Sequence, residues 1–152
     1  MVQRGRGSVR EYYWGAKAIA VIDETYNANP TSMAAALETL KQSGSEGSNK
    51  HAVLGDMLEL GSAAEAEHSA ILRKYLEAEG VQTLALVGAH FEAAALGGEG
   101  GEGRVVVCRD AEEAAMATLE RCGDGDVVLV KGSRGLRMER FFQANGGLIG
   151  GV

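Results

Sequence analysis

Five short apolar runs, each followed by a stretch with helical spacing, restrict this chain more than any other feature. The runs occupy residues 18–22, 52–54, 83–87, 105–107 and 127–130. Strands that alternate with helices imply parallel βαβ units. Strands that are apolar on consecutive positions imply a sheet covered on both faces. The expected fold is therefore α/β, an open, doubly wound (Rossmann-like), mostly parallel sheet with helices on both faces. Residues 9–14 alternate charged and aromatic side chains, which predicts an additional antiparallel edge strand.

The helical segments carry their own punctuation. Asn29 precedes Pro30, a cap followed by a first-turn proline, and Met33, Leu37 and Leu40 then recur on one face. Ser62 and Glu65 have the spacing of a capping box, followed by the apolar face of Ile71, Leu72, Tyr75 and Leu76. A short helix is expected over 90–96. Asp110 and Glu113 offer a second box-like start, and a last helix is expected over 136–144. With 152 residues, the chain suits one domain spanning 1–152, its first 16 residues forming the approach and the edge strand.

Composition excludes several classes. The formal net charge of -6 opposes a nucleic-acid surface, which needs clustered Lys and Arg. No apolar run approaches the roughly 20 residues of a membrane span. Residues 1–7 are basic but lack the apolar core of a signal peptide, and a cytoplasmic location is expected. Cys108 and Cys122 lack metal-ligand spacing, and His51, His68 and His90 are scattered, so reduced thiols and no metal site are expected.

In a doubly wound sheet, ligands bind beyond the carboxyl ends of the strands, which selects three loops. In the first, Asp23 follows a buried strand and suits ribose hydroxyls, Tyr26 suits stacking on a ring, and Asn27 and Asn29 offer both donors and acceptors. The same Asp and Asn residues equally suit turn formation and helix capping. In the second, Asp56 and Glu59 suit a metal or an amine, or simply form a solvated acidic loop between Gly55 and Gly61. In the third, Lys131, Ser133, Arg134 and Arg137 lie among glycines at a strand end, an arrangement for a phosphate or carboxylate; the alternative is a basic surface turn. Residues 98–103 fit G-x-G-x-x-G but precede a strand instead of following one, and so read as a connecting loop. Neither a G-x-x-x-x-G-K-[ST] loop nor a G-x-S-x-G elbow occurs.

Taken together, residues 23–33 (DETYNANPTSM), 54–61 (LGDMLELG) and 130–139 (VKGSRGLRME) closely resemble the C-terminal domain of the Mur ligase family. Gly5-Arg6-Gly7 is similar to the approach to that domain. Glu24 departs from the commoner second Asp of the first motif while keeping the charge. The resemblance implies the C-terminal, substrate-closing domain of an ATP-dependent ligase of peptidoglycan precursor synthesis. Its reaction would join D-Ala-D-Ala to UDP-N-acetylmuramoyl-tripeptide. The implied cofactor is ATP with Mg2+, bound mainly by a central domain, and the implied partners are the N-terminal and central domains of the same enzyme. The isolated chain would be inactive, and no catalytic residue is assigned to it. By similarity, Asp23, Tyr26, Asn27 and Asn29 would bind nucleotide, while Asp56, Glu59, Lys131, Ser133 and Arg134 would bind substrate. A non-catalytic nucleotide- or dipeptide-binding α/β module is the rival reading.

Overall fold

Hydrogen bonding joins the apolar runs into one seven-stranded sheet in the computed structural model, which describes residues 8–98, 103–143 and 148–150. The elements in chain order are β1 (Ser8–Trp14), β2 (Lys17–Glu24), α1 (Pro30–Lys41), β3 (Lys50–Gly55), α2 (Ala64–Glu77), β4 (Val81–Val87), α3 (Ala89–Gly97), β5 (Val105–Cys108), α4 (Ala111–Leu119), β6 (Val127–Lys131) and β7 (Leu148–Gly150). The sheet order is β5-β4-β3-β6-β2-β1-β7. Strands β2 to β6 are parallel to one another, and β1 runs antiparallel to β2.

The expected antiparallel strand is thus present, but it is not the edge. Residues 148–150 of the glycine-rich tail pair with Tyr12, Tyr13 and Trp14 on its outer side. At the opposite edge, Val107 of β5 is 40% exposed, because an edge strand has one neighbour and incomplete cover.

Side chains on successive strand positions point to opposite faces, and both faces are packed. Ala52, Leu54 and Leu129 meet Met33, Leu37, Leu40, Ile71, Leu72, Tyr75 and Phe91 beneath α1, α2 and α3. Val53, Val128 and Val130 meet Ala111, Ala114, Ala115 and Leu119 of α4 on the other face. Two-sided burial explains why the strand sequences do not alternate in polarity.

Helix α1 begins at a true capping box. Asn29 Oδ1 accepts from the Ser32 amide at 2.8 Å, and Ser32 Oγ accepts from the Asn29 amide at 3.0 Å. Asp110 caps α4 by accepting from the Glu113 amide, but the reciprocal half is absent: the Glu113 carboxylate pairs with Arg109 at 2.8 Å.

Two expectations fail locally. Ser62 and Glu65 form no capping box. A 3-10 turn over Gly61–Ala63 leads into α2, and Ala63 occupies the cap position without a side-chain hydrogen bond. The turn places Ser62 one residue too early in the helical register. The expected helix over 136–144 is instead two 3-10 segments, Arg134–Leu136 and Met138–Gln143, with residue 144 outside the described residues. Arg137 adopts a left-handed φ of 52° between them, which interrupts an α-helical ladder. Met138 and Phe141, three residues apart as a 3-10 period requires, are fully buried against α4.

That packing makes the 3-10 segment part of the core. Phe141→Ala is expected to lower unfolding free energy by about 3–5 kcal/mol, the range for deleting a buried aromatic ring, in urea denaturation. A loss below about 1 kcal/mol, typical of a surface substitution, would show that the segment does not complete the core.

Candidate functional site at the carboxyl ends of three adjacent strands

The connections decide which loops meet. The chain passes from β2 to β3, continues outward through β4 and β5, and returns by α4 to insert β6 between β3 and β2. The carboxyl ends of β3, β6 and β2 therefore lie side by side. In register, Glu24 of β2 and Leu54 of β3 both neighbour Lys131 of β6. The three loops selected from sequence all leave this edge.

Lys131 joins the first and third loops. Its side chain is almost fully buried, and its Nζ donates to Glu24 Oε2 at 3.2 Å and to the Asn27 carbonyl at 2.9 Å. A buried ammonium needs such partners, because the desolvated charge is otherwise uncompensated. Asp23 is also buried, and its Oδ1 accepts from the Thr25 amide at 3.1 Å and the Thr25 hydroxyl at 2.7 Å. This local turn fixes the start of the first loop. Tyr26 and Asn27 are exposed, and Asn29 spends its side-chain oxygen on the cap of α1.

Ser133 and Asp56 join the third and second loops. Ser133 Oγ accepts from the Leu58 amide at 2.9 Å, and the Ser133 amide donates to the Asp56 carbonyl at 3.2 Å. The Asp56 carboxylate is turned into the fold, where it accepts from the amides of His90 and Phe91, both at 2.9 Å. It thereby meets the positive end of α3. Its contact with Gly88 is close enough that a Cβ there would lie 2.3 Å from Asp56 Cγ, and Gly88 has a φ of 112°. Glu59 is exposed and holds a left-handed φ of 62°. Arg134 begins the 3-10 turn that follows β6.

Of the residues singled out from sequence, Lys131 and Asn27 meet directly, and Ser133 and Asp56 meet through the backbone. Asp23 and Asn29 secure their own loop, while Tyr26 on that loop and Glu59 on the second loop are exposed. Sequence reading missed the partners. Glu24 was visible as an acid at the strand end, but its ion pair depends on β6 inserting beside β2. Gly88, between the strand at 83–87 and the helix at 90–96, carried no expectation.

His68, one of three histidines that look scattered in the sequence, belongs to this edge. It is fully buried on α2, where Nε2 accepts from the Met57 amide at 2.9 Å and Nδ1 donates to the Ala64 carbonyl at 2.7 Å. Those partners require the neutral imidazole with its proton on Nδ1. The ring stacks on His90 and meets Phe91 edge to face. Burial lowers its pKa below 6.5, and this outweighs the opposing pull of the Ala64 carbonyl and of Asp56. His68 thus pins the second loop to α2 beside Asp56.

Fold and site together define a doubly wound domain whose three candidate loops gather where the strand order reverses. The chain belongs to the family described as Mur ligase, glutamate ligase domain, which matches residues 9–134. It is 39% identical to UDP-N-acetylmuramoyl-tripeptide–D-alanyl-D-alanine ligase of Mycobacterium leprae, over 78% of this chain and 26% of that protein. It is 35% identical to the Bacillus subtilis enzyme of the same name, over 80% of this chain and 26% of that protein. The chain therefore spans about a quarter of the length of these curated relatives. Among solved structures, it resembles MurF from Acinetobacter baumannii with a TM-score of 0.73 and 28% identity, covering 94% of this chain and 30% of that one. It also resembles the MurF ligase of Thermotoga maritima in complex with ADP, with a TM-score of 0.71 and 26% identity, covering 93% of this chain and 30% of that one.

The neutral state of His68 sets a pH dependence. The unfolded chain binds a proton at this residue near the ordinary value of 6.5, whereas the folded chain resists it. Stability is then full above 6.5 and falls as pH drops below it toward the lowered folded value. Urea midpoints measured between about pH 7.5 and about pH 5.5 should fall in the native chain and fall less steeply in His68→Gln. Equal slopes in the two proteins would remove His68 as the source.

Proposed function

We propose that this chain is the C-terminal, substrate-closing domain of an ATP-dependent ligase that joins D-Ala-D-Ala to UDP-N-acetylmuramoyl-tripeptide in peptidoglycan precursor synthesis. The observation that carries this reading is the convergence of three loops on one sheet edge, tied by Lys131 and Ser133. It is supported by relatives that bear this enzyme's name and by a solved neighbour in complex with ADP.

In this reading ATP phosphorylates the terminal carboxylate of the tripeptide and leaves as ADP. The dipeptide amine then attacks the acyl phosphate, and inorganic phosphate departs as the amide forms. Mg2+, bound mainly by the central domain, would neutralise charge on the transferred phosphoryl group. This chain contributes binding and orientation. Asp23 and Tyr26 would face the nucleotide, with Asn27 and Asn29 shaping the loop that carries them. Lys131, Ser133 and Arg134 would hold the dipeptide carboxylate or the acyl phosphate, and Glu59, on the exposed tip beside Asp56, would orient the amine. The reaction needs closure of this domain over an N-terminal domain that holds the precursor and a central domain that holds ATP. Alone, the chain forms no amide. No helix among the described residues is long and apolar enough to cross a membrane, which is compatible with the cytoplasmic location proposed here.

Nuclear magnetic resonance titration of the chain with ATP–magnesium and then with D-Ala-D-Ala tests the assignment. Shifts centred on Asp23–Asn29 and Lys131–Arg134 are expected, without product. Fusion to the N-terminal and central domains of a relative should then restore amide formation. Binding of the dipeptide with no response to ATP, and no product from the fusion, would leave the non-catalytic binding module as the better account.

A further inference from the structure

The amino-terminal edge of the sheet, opposite the loops described above, holds a second polar cluster. His51 lies near the start of β3, Cys122 follows α4, and Asp126 immediately precedes β6. Their exposures are 1%, 2% and 3%, respectively. One ligand atom from each lies within 4.8 Å of the other two.

The carboxylate is already oriented. Asp126 Oδ2 accepts from the Gly123 amide at 2.8 Å and faces His51 Nε2 at 2.9 Å, while Oδ1 accepts from the Asn49 amide at 3.0 Å. The other imidazole nitrogen is not satisfied: His51 Nδ1 is buried without a hydrogen-bond partner. His51 Nε2, which faces the carboxylate, is the nitrogen placed to share an ion with it, and coordination there moves the ring proton to Nδ1.

The donor set indicates which ion. Imidazole, thiolate and carboxylate are the three side-chain donors of protein zinc sites. A sulfur ligand disfavours Mg2+ and Ca2+, which prefer all-oxygen coordination. A thiolate and a carboxylate supply two negative charges, which balance a dication in a buried setting. We propose that His51, Cys122 and Asp126 form a structural site for a divalent cation of the zinc class. Binding forms one metal–nitrogen, one metal–sulfur and one metal–oxygen bond to the protein, and a water that enters with the ion fills the fourth position of the tetrahedron. The thiol proton passes to solvent, and no redox change occurs. Zinc bonds of about 2.0–2.3 Å place tetrahedral ligand atoms roughly 3.3–3.8 Å apart, so separations of up to 4.8 Å need close by no more than about an ångström, while the 2.9 Å contact between His51 and Asp126 opens by a few tenths.

The site would clip the segment after α4 to the starts of β3 and β6, the two strands whose far ends carry Asp56 and Lys131. It does not depend on the proposed ligase role. Sequence spacing conceals it, because His51 is distant in the chain from Cys122 and Asp126.

Cobalt(II) added to the chelator-treated chain tests this directly. One equivalent should produce a thiolate-to-cobalt charge-transfer band together with the visible bands of a tetrahedral ion. Cys122→Ala should abolish the charge-transfer band, and Cys108→Ala, which removes the other buried thiol, should keep it. Zinc should raise the thermal midpoint of the native chain and leave that of a folded Cys122→Ala variant unchanged. If Cys122→Ala does not fold, the native and Cys108→Ala spectra decide the matter by themselves. The proposal is overturned if the native chain gives no charge-transfer band, if the band persists without Cys122, if it disappears with Cys108, or if zinc leaves the native midpoint unmoved.

Discussion

The carboxylate of Asp56 is the interaction on which the ordering of the site depends. It accepts two amides at the start of α3, both at 2.9 Å. Its own amide donates to Val87 at the end of β4, and its carbonyl accepts from Ser133 beyond β6. One residue thus ties three strand ends together. Charge-assisted hydrogen bonds of this kind are roughly twice as strong as neutral ones, and the helix end adds favourable potential. The arrangement also constrains composition, since only glycine at position 88 leaves room for the carboxylate. Gly55 and Gly132 reflect the same close approach, as a Cβ on either would collide with Met138. The second and third loops are therefore fixed to each other by backbone packing as well as by Ser133.

Charge burial shapes the first loop in a different way. Lys131 is withdrawn from water and held by Glu24 and the Asn27 carbonyl. A pair of this kind contributes little net stability, because desolvation offsets attraction, yet loss of either partner leaves an uncompensated charge. Its value lies in geometry: it sets the distance between the loop after β2 and the loop after β6. Asp23, by contrast, organises its own turn through Thr25. The two adjacent acids, Asp23 and Glu24, thus do different work, one local and one across the sheet.

The fold was legible because its signal is periodic. Five apolar runs at the right spacing specify parallel strands, and Asn29 and Asp110 mark true helix starts. Local signals failed where a neighbour took over their function. Ser62 has the chemistry of a cap, but the turn over Gly61–Ala63 reaches α2 first. The residues after β6 have helical polarity, but the left-handed Arg137 divides them into 3-10 segments that fit the groove beside α4. The three loops were legible through their residue types and strand-end positions. Their internal partners were not, because the pairing of Glu24 with Lys131, and of His68 with the Met57 amide, depends on strand order and helix docking. A sequence reading supplies the donors and acceptors, but topology decides which of them meet.

That distinction bears on how the site would meet an anion. From sequence, Lys131 resembled a free cation offered to a phosphate or carboxylate. In the fold its Nζ is already engaged with Glu24, whose side chain remains 26% exposed. An anion arriving at this edge must therefore displace the Glu24 carboxylate from Lys131 or share the ammonium with it. Displacement would leave Glu24 to find another partner and would free the Asn27 loop to shift, because the same Nζ also holds the Asn27 carbonyl. Ligand binding and loop position are then coupled through a single ammonium. Such coupling would suit the closing role proposed above, since an interaction gained with a ligand would be gained at the expense of one that holds the loop in its present position.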